Sequence, residues 1–390
     1  SPMTPRMIAI YGKGGIGKSF FTANLSAKMA LKGLRVLQLG CDPKHDSCNA
    51  LFGGRSLPTI TDQWRLFKDA GREKELDLPH MIFKADLGRG AYVFGAELGG
   101  PEVGRGCGGR GISFGFSLLE ERGMANWALD YIVMDFLGDV VCGGFATPIA
   151  KSLAEEIIIV ASHDRMSLYA ANNIARAVNY FQSIGGSARL IGMVLNRDDG
   201  SGVAERFAAR VGLPILAKIP YNPAARTLSD RCQLLFELPE MDAIFDALVN
   251  KLHSRQYTIP ETITPLEYDE FLAVFGASEP SDPPQGATLD DLMGRDGQAS
   301  AGIDLNSPDY SAESKRLVRR IMQEMGLKVT RLIEEPERGV VVTTEAGWQA
   351  VFGNPAEEMD AKIAILAALR HSGEKFRLAD LRFTAAPFYE

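Results

Sequence analysis

The stretch GKGGIGKS, residues 12–19, lies between a short apolar run and a helical pattern. Met7–Tyr11 reads as a buried strand, and Ser19–Lys32 carries apolar residues at helical spacing. Strand, glycine-rich loop and helix form the context that a phosphate-binding loop needs. Gly12, Gly14, Gly15 and Gly17 let the backbone turn tightly enough to aim its N–H groups at phosphate oxygens, and Ile16 belongs to the same cradle. Lys18 is placed to reach the β- and γ-phosphates. Ser19 offers a hydroxyl to Mg²⁺ and opens a helix whose positive end faces the anion. A glycine-rich turn without a ligand would not need Gly-Lys-Ser to close it at this point.

Two acidic segments follow. GCDPKHDS, residues 40–47, comes after a second strand, Leu34–Leu39. Carboxylates at the carboxyl end of a parallel strand beside such a loop stand where attacking water and metal should be. Asp42 is expected to orient water, Lys44 to contact a phosphate and Asp46 to reach the Mg²⁺ shell. A plain Asp-Pro turn is the competing reading, and His45 reads as a bystander. The strand Tyr131–Met134 ends in Asp135, an apolar run closed by an acid that serves the water shell of Mg²⁺. Asp139 then opens DVVCGG, so one segment leads from the γ-phosphate region to Cys142. Such a segment can report hydrolysis to a thiolate.

The chain has five cysteines, Cys41, Cys48, Cys107, Cys142 and Cys232. Scattered and odd in number, they read as reduced thiols or metal ligands of a cytoplasmic protein, not as a disulfide framework. Cys107 and Cys142 each stand beside paired glycines. A [4Fe–4S] cluster takes four thiolates, and a two-fold homodimer contributing both cysteines from each subunit supplies them. The glycines let backbone N–H groups approach the sulfides and leave the cluster near the surface. Two buried structural cysteines are the plain alternative, but so many glycines leave little apolar packing around them.

At 390 residues the chain suits two domains. Its net charge of −7 argues against nucleic acid as the main partner. No apolar run reaches the roughly 18–20 residues of a transmembrane helix, and Ser1–Arg6 does not read as a signal peptide. Further strands are expected at Glu156–Ala161, Leu190–Leu195 and Ile215–Ile219, with helices at Ser167–Phe181 and Gly202–Val211. Continuous apolar strands alternating with helices imply an α/β fold, a doubly wound and mostly parallel sheet covered on both faces. This domain is expected over residues 1–275, followed by a flexible linker at 276–305 and a small C-terminal α+β module at 306–390. The module's expected elements are helices at Ser311–Met325 and Glu357–Leu369, a hairpin of Gly339–Thr344 with Trp348–Phe352, and a last strand at Phe376–Phe383.

Taken in order, these motifs resemble the nitrogenase iron-protein family. The form KGGIGK also resembles the deviant Walker A loop of dimeric ATPases, in which the first lysine, here Lys13, crosses to the partner's nucleotide. The resemblance spans roughly residues 7–253 and implies a MgATP-driven homodimer carrying one bridging [4Fe–4S] cluster. It implies ferredoxin as electron donor and a larger heteromeric catalytic component as acceptor. By the same resemblance Asn196, Arg197 and Pro220 lie on the adenine side, and Arg110 helps dock the acceptor. LFGGRSLPTI (51–60), ELGGPEVGRGCGGRGI (97–112), DFLGDVVCGGF (135–145) and SLYAANN (167–173) are similar to the chlorophyllide a reductase branch. In that branch a Y/Z-type catalytic component reduces the C7=C8 bond of the tetrapyrrole. RVLQLGCDPKHDS (35–47) is closer to the L subunits of dark-operative protochlorophyllide reductase. The rival class is a non-redox ATPase switch of the partition or septum-positioning type, which shares KGGIGKS but needs neither Cys107 nor Cys142.

Overall fold

The computed structural model describes residues 4–42, 44–100, 109–136, 156–294, 303–373 and 375–390. The chain divides into two compact units, Ser1–Glu279 and Pro280–Glu390.

In the first unit, the strands are β1 (Arg6–Tyr11), β2 (Val36–Cys41), β3 (Phe83–Gly88), β4 (Ala91–Glu97), β5 (Tyr131–Phe136), β6 (Glu156–Ala161), β7 (Arg189–Asp198) and β8 (Ile215–Pro220). They form one sheet in the order β3-β4-β2-β5-β1-β6-β7-β8. Every pairing is parallel except β3 with β4. Alternating side chains of each strand serve opposite faces. Ala9, Tyr11, Ile132, Met134, Ile157 and Ile159 join one apolar cluster, while Ile8, Ile10, Val133, Ile158 and Val160 join another. That is why the strands read as unbroken apolar runs.

Among the described residues, the α-helices of this unit are α1 (Lys18–Leu31), α2 (Ile60–Asp69), α3 (Gly109–Glu121), α4 (Arg165–Ser183), α5 (Val203–Val211), α6 (Pro223–Asp230), α7 (Pro239–His253) and α8 (Tyr268–Val274). Phe21 and Leu25 of α1 meet Phe245 and Leu248 of α7 on one face, and α3, α4, α5 and α8 supply the other. The chain passes from β1 to β2 and later returns to place β5 between them, so the carboxyl ends of β1, β2 and β5 converge. A ligand site is expected at such a reversal.

Two departures from the expected pattern have local causes. Strand β5 continues through Asp135 to Phe136, because Phe136 is buried and stacks on Tyr11 at 4.9 Å. The β3–β4 hairpin carries exposed polar residues on an edge strand and turns on Arg89 and Gly90, both at positive φ, so it lacks the apolar signature of the parallel core.

The second unit has a five-stranded sheet ordered β13-β12-β11-β10-β9, built from β9 (Val329–Glu335), β10 (Gly339–Thr344), β11 (Gln349–Gly353), β12 (Leu378–Asp380) and β13 (Phe388–Tyr389). It also contains the short helix α9 (Leu289–Leu292), α10 (Ala312–Met325) and α11 (Met359–His371). Leu317, Val318 and Ile321 of α10 pack with Val340, Val342 and Ile363 in a separate core. Ser311 caps α10 by accepting from Ser314 N, and Gly326 ends it at φ 64°. The expected hairpin is present as β10 and β11. The expected last strand shrinks to β12, and Arg382 pairs with Asp380 just beyond it. Strand β9 carries charges on its half-buried face, which hid it from apolar patterning. Thr288 caps α9 inside the stretch expected as a linker.

The tail of the first unit is clipped to α4 by polar side chains on one helical face. Asn172 Nδ2 donates to Leu266 O and Asn172 Oδ1 accepts from Leu266 N, both at 2.8 Å. Arg176 donates to Leu266 O at 2.7 Å and Asn179 to Ile263 O at 2.7 Å. Asn172 is 2 % exposed, so truncation strands the buried Leu266 N–H, while Leu266 O keeps its bond from Arg176. Asn172→Ala is expected to cost about 2 kcal/mol in urea unfolding. A loss within about 0.5 kcal/mol would show that the clip contributes little.

Candidate functional site

Strand β1 delivers the glycine-rich loop at its carboxyl end. A Cβ on Gly12 would lie 2.2 Å from Val160 O, so the loop can leave the sheet here only without a side chain. Gly17 has φ +86°, and a Cβ there would sit 2.8 Å from Asn196 Nδ2. Helix α1 starts at Lys18 with no side-chain cap and no acid in its first turn. Its leading N–H groups are therefore oriented for an anion. Gly14 and Gly15 are exposed, Lys13 and Ser19 half-buried, and Ile16 is packed among Ile8, Ile10 and Val160. The cradle and its donor set fit MgATP.

At the centre, Lys18 forms an ion pair with Asp135, the two being 6 % and 1 % exposed. Asp135 Oδ2 also accepts from Ser47 Oγ at 2.5 Å. Gln38 Nε2 on β2 donates to Ser47 O at 3.2 Å and to Ser47 Oγ at 3.1 Å. Loop, β5, β2 and the segment after β2 thus meet at one carboxylate. Asp42 is half-buried and accepts from Lys44 N at 2.9 Å; burial pushes its carboxyl above the ordinary range. Lys44 and Asp46 are exposed.

Glu97, at the end of β4, is fully buried. Its Oε1 accepts from Cys48 N at 2.8 Å, while Oε2 has no hydrogen-bond partner among the described residues. Gly40 of β2 stands opposite, and a Cβ there would fall 1.7 Å from Oε2. Burial, with Asp135 and Asp46 nearby, pushes the Glu97 carboxyl up to about 8. Burial also pushes the Cys41 and Cys48 thiols well up, as befits core cysteines.

On the other side of the loop, the β7–β8 register breaks between Leu195 and Asp198, and Arg197 has φ 52°. Such a bulge re-aims side chains. Asn196 Nδ2 donates to Ile16 O at 2.7 Å and Arg197 donates to Gly15 O at 3.0 Å. Beside them opens a cleft of about 240 Å³ lined by Gly17, Phe20, Pro220, Tyr221 and Asn222. A larger apolar cavity of about 400 Å³, with Leu78, Phe94 and Trp127 in its wall, lies at the amino ends of the strands, remote from the loop.

The structure therefore brings together Lys18, Asp135, Asn196 and Arg197 around the loop. Cys107, Cys142, Asp139 and the side chain of Arg110 lie outside the described residues. Ser47, Gln38 and Glu97 were not anticipated. Ser47 sits within DPKHDS, Gln38 within RVLQLGCDPKHDS and Glu97 at the start of ELGGPEVGRGCGGRGI, but no local feature gives them a role, and only the pairing of distant strands reveals one.

A mostly parallel sheet with this loop at its reversal defines a P-loop nucleoside triphosphatase. The family model of 4Fe-4S iron sulfur cluster binding proteins, NifH/frxC family, matches residues 6–278. The chain is 46 % identical over 275 residues to the chlorophyllide reductase 35.5 kDa chain of Rhodobacter capsulatus, covering 70 % of this chain and 80 % of that one. It is 44 % identical to the protein of the same name from Cereibacter sphaeroides, covering 77 % and 88 %. Against the nitrogenase iron protein of Methanospirillum hungatei it is 41 % identical, covering 68 % and 93 %. The chain belongs to the NifH/frxC family. It is an oxidoreductase component coupled to ATP hydrolysis, with a [4Fe–4S] cluster and MgATP as cofactors, and it works as a dimer with a catalytic partner component. No helix among the described residues is long and apolar enough to cross a membrane.

The raised Glu97 carboxyl makes stability depend on pH. The native chain holds this proton up to about 8, whereas the unfolded chain releases it near 4.5. The contribution is therefore full below the unfolded value and is lost as pH rises through that window. Urea unfolding is expected to show a decline on the order of a few kcal/mol across it, and Glu97→Gln to flatten that decline. Equal slopes in the two proteins would refute the assignment.

Proposed function

We propose that this chain is the ATP-driven electron donor of a chlorophyllide-reducing complex. The observation that carries the reading is the 46 % identity, over 80 % of its length, with a chlorophyllide reductase chain. The segments at 97–112 and 135–145 support the same branch.

Lys18 and the loop N–H groups hold the phosphates, and Ser19 meets Mg²⁺. Asp135, Asp46 and Asp139 serve the metal's water shell, Asp42 orients the attacking water and Lys44 contacts a phosphate. Lys13 crosses to the nucleotide of the other subunit. Asn196, Arg197 and Pro220 bound the base, with Tyr221 and Asn222 in the same cleft. Cys107 and Cys142 of both subunits hold the [4Fe–4S] cluster, which when bound supplies one-electron transfer. Ferredoxin is the electron source, Arg110 contributes to docking and the cytoplasm is the setting. The tetrapyrrole, with its C7=C8 bond, belongs to the catalytic component. Residues 276–305 act as a linker to a small module at 306–390.

The ion pair of Lys18 with Asp135 supports this mechanism physically. Asp135 begins the segment that ends in Cys142, so a phosphate-dependent shift of Lys18 is felt by that segment. A conformational preference of ~3 kcal/mol would gate docking about 150-fold.

Anaerobic purification is expected to yield a brown dimer with about four irons. Cys142→Ala should lose colour and iron yet still bind MgADP; retained iron would sink the shared-cluster assignment. Reconstitution with ATP, dithionite and each candidate catalytic component should change the absorbance of chlorophyllide a. Reduction of protochlorophyllide alone would overturn the substrate, and a colourless ATPase would overturn the electron-donor reading.

A further inference from the structure

We propose that Glu97 is a positioning residue that gives Cys107 its own connection to the nucleotide site, parallel to the one leading from Asp135 to Cys142. The inference rests on the assignment of both cysteines to the cluster.

Two adjacent residues at the end of the 42–48 segment grip two different strands. Ser47 Oγ donates to Asp135 on β5 at 2.5 Å, and Cys48 N donates to Glu97 on β4 at 2.8 Å. In the sequence, Cys142 follows the last residue of β5 by six positions and Cys107 follows Glu97, the last residue of β4, by ten. The same segment carries Asp42, Lys44 and Asp46. A change at the nucleotide that displaces it pulls on both strands at once.

Glu97 is also an expensive choice for a purely structural position. Its side chain is fully buried, and among the described residues only one of its oxygens finds a hydrogen bond. A buried carboxyl with an orphan oxygen is destabilising where an apolar residue would pack without penalty. Strand β2 accommodates it through Gly40, where any Cβ would collide with Oε2. Asp135 and Asp46 are the charged groups that act on it, and the Cys48 thiol lies beside it. What the carboxyl provides in return is an acceptor for Cys48 N–H that reaches across from β4.

Beyond Glu97 the chain stays tethered. Leu98 N donates to Gly40 O at 2.9 Å, Thr61 N to Leu98 O at 3.3 Å, and Thr61 Oγ1 to Gly100 O at 3.4 Å. A displacement at Glu97 is therefore carried to Gly100 instead of dissipating in a loose loop.

The test uses the anaerobically purified dimer and its Glu97→Gln, Glu97→Ala and Glu97→Leu variants. Amide hydrogen exchange at Cys48, and the electron paramagnetic resonance spectrum of the dithionite-reduced cluster, are recorded with and without MgATP. Glu97→Ala is expected to speed Cys48 exchange by at least about tenfold. It should also weaken the nucleotide-induced change in the spectrum. Glu97→Gln keeps an acceptor oxygen and should retain both properties. If the alanine variant does not fold, Glu97→Leu fills the volume without an acceptor and should reproduce its effects. Unchanged exchange and an unchanged spectral response in a folded Ala or Leu variant would overturn the proposal. A wild-type dimer lacking iron and any such spectrum would instead defeat the cluster reading, while a slow Cys48 exchange that Glu97→Ala accelerates would still establish the hydrogen bond.

Discussion

The buried pair between Lys18 and Asp135 is the constraint around which the first unit is organised. Each charge would be costly alone in this interior, and removing one partner leaves the other uncompensated, a loss on the order of 3–5 kcal/mol. The pair forms with β5 beside β1, a place the chain reaches after passing through β2 and returning between the two. Sheet order and the position of the phosphate loop are thus two aspects of one electrostatic requirement. Ser47 and Gln38 extend that requirement to β2, so that three strands report to one carboxylate.

Much of this was legible from local patterns. The loop is a contiguous motif whose glycines, lysine and serine have roles within eight residues, and the parallel strands announce themselves as unbroken apolar runs. Asn196 and Arg197 became legible only through the family resemblance, because nothing local distinguishes them from other polar residues at a strand end. Glu97 opens the segment 97–112, yet nothing in the sequence gives it a role. Its importance comes from Cys48, 49 residues away, and from a hollow at Gly40 that appears only when β2 and β4 pair. The β3–β4 hairpin and strand β9 escaped for a related reason. Edge strands bury fewer residues, and their alternation is blurred by charge.

The two faces of the main sheet are divided by task. On one, α1 packs on α7 through aromatic and aliphatic side chains, anchoring the helix whose N-terminus faces the phosphate region. On the other, α4 holds the tail by hydrogen bonds from Asn172, Arg176 and Asn179. Directional polar clips hold an irregular segment in register where apolar contacts alone, being non-directional, would let it slide.

The bulge at Asn196 and Arg197 has a consequence for the economy of nucleotide capture. Their side chains bind the carbonyl oxygens of Ile16 and Gly15, the reverse side of the very peptides whose N–H groups confront the anion. The loop is braced from behind, in a preorganised shape, so the ligand need not freeze a floppy backbone on arrival. A loop so braced surrenders little entropy on binding, and affinity can be adjusted from β7 without altering any residue that touches phosphate.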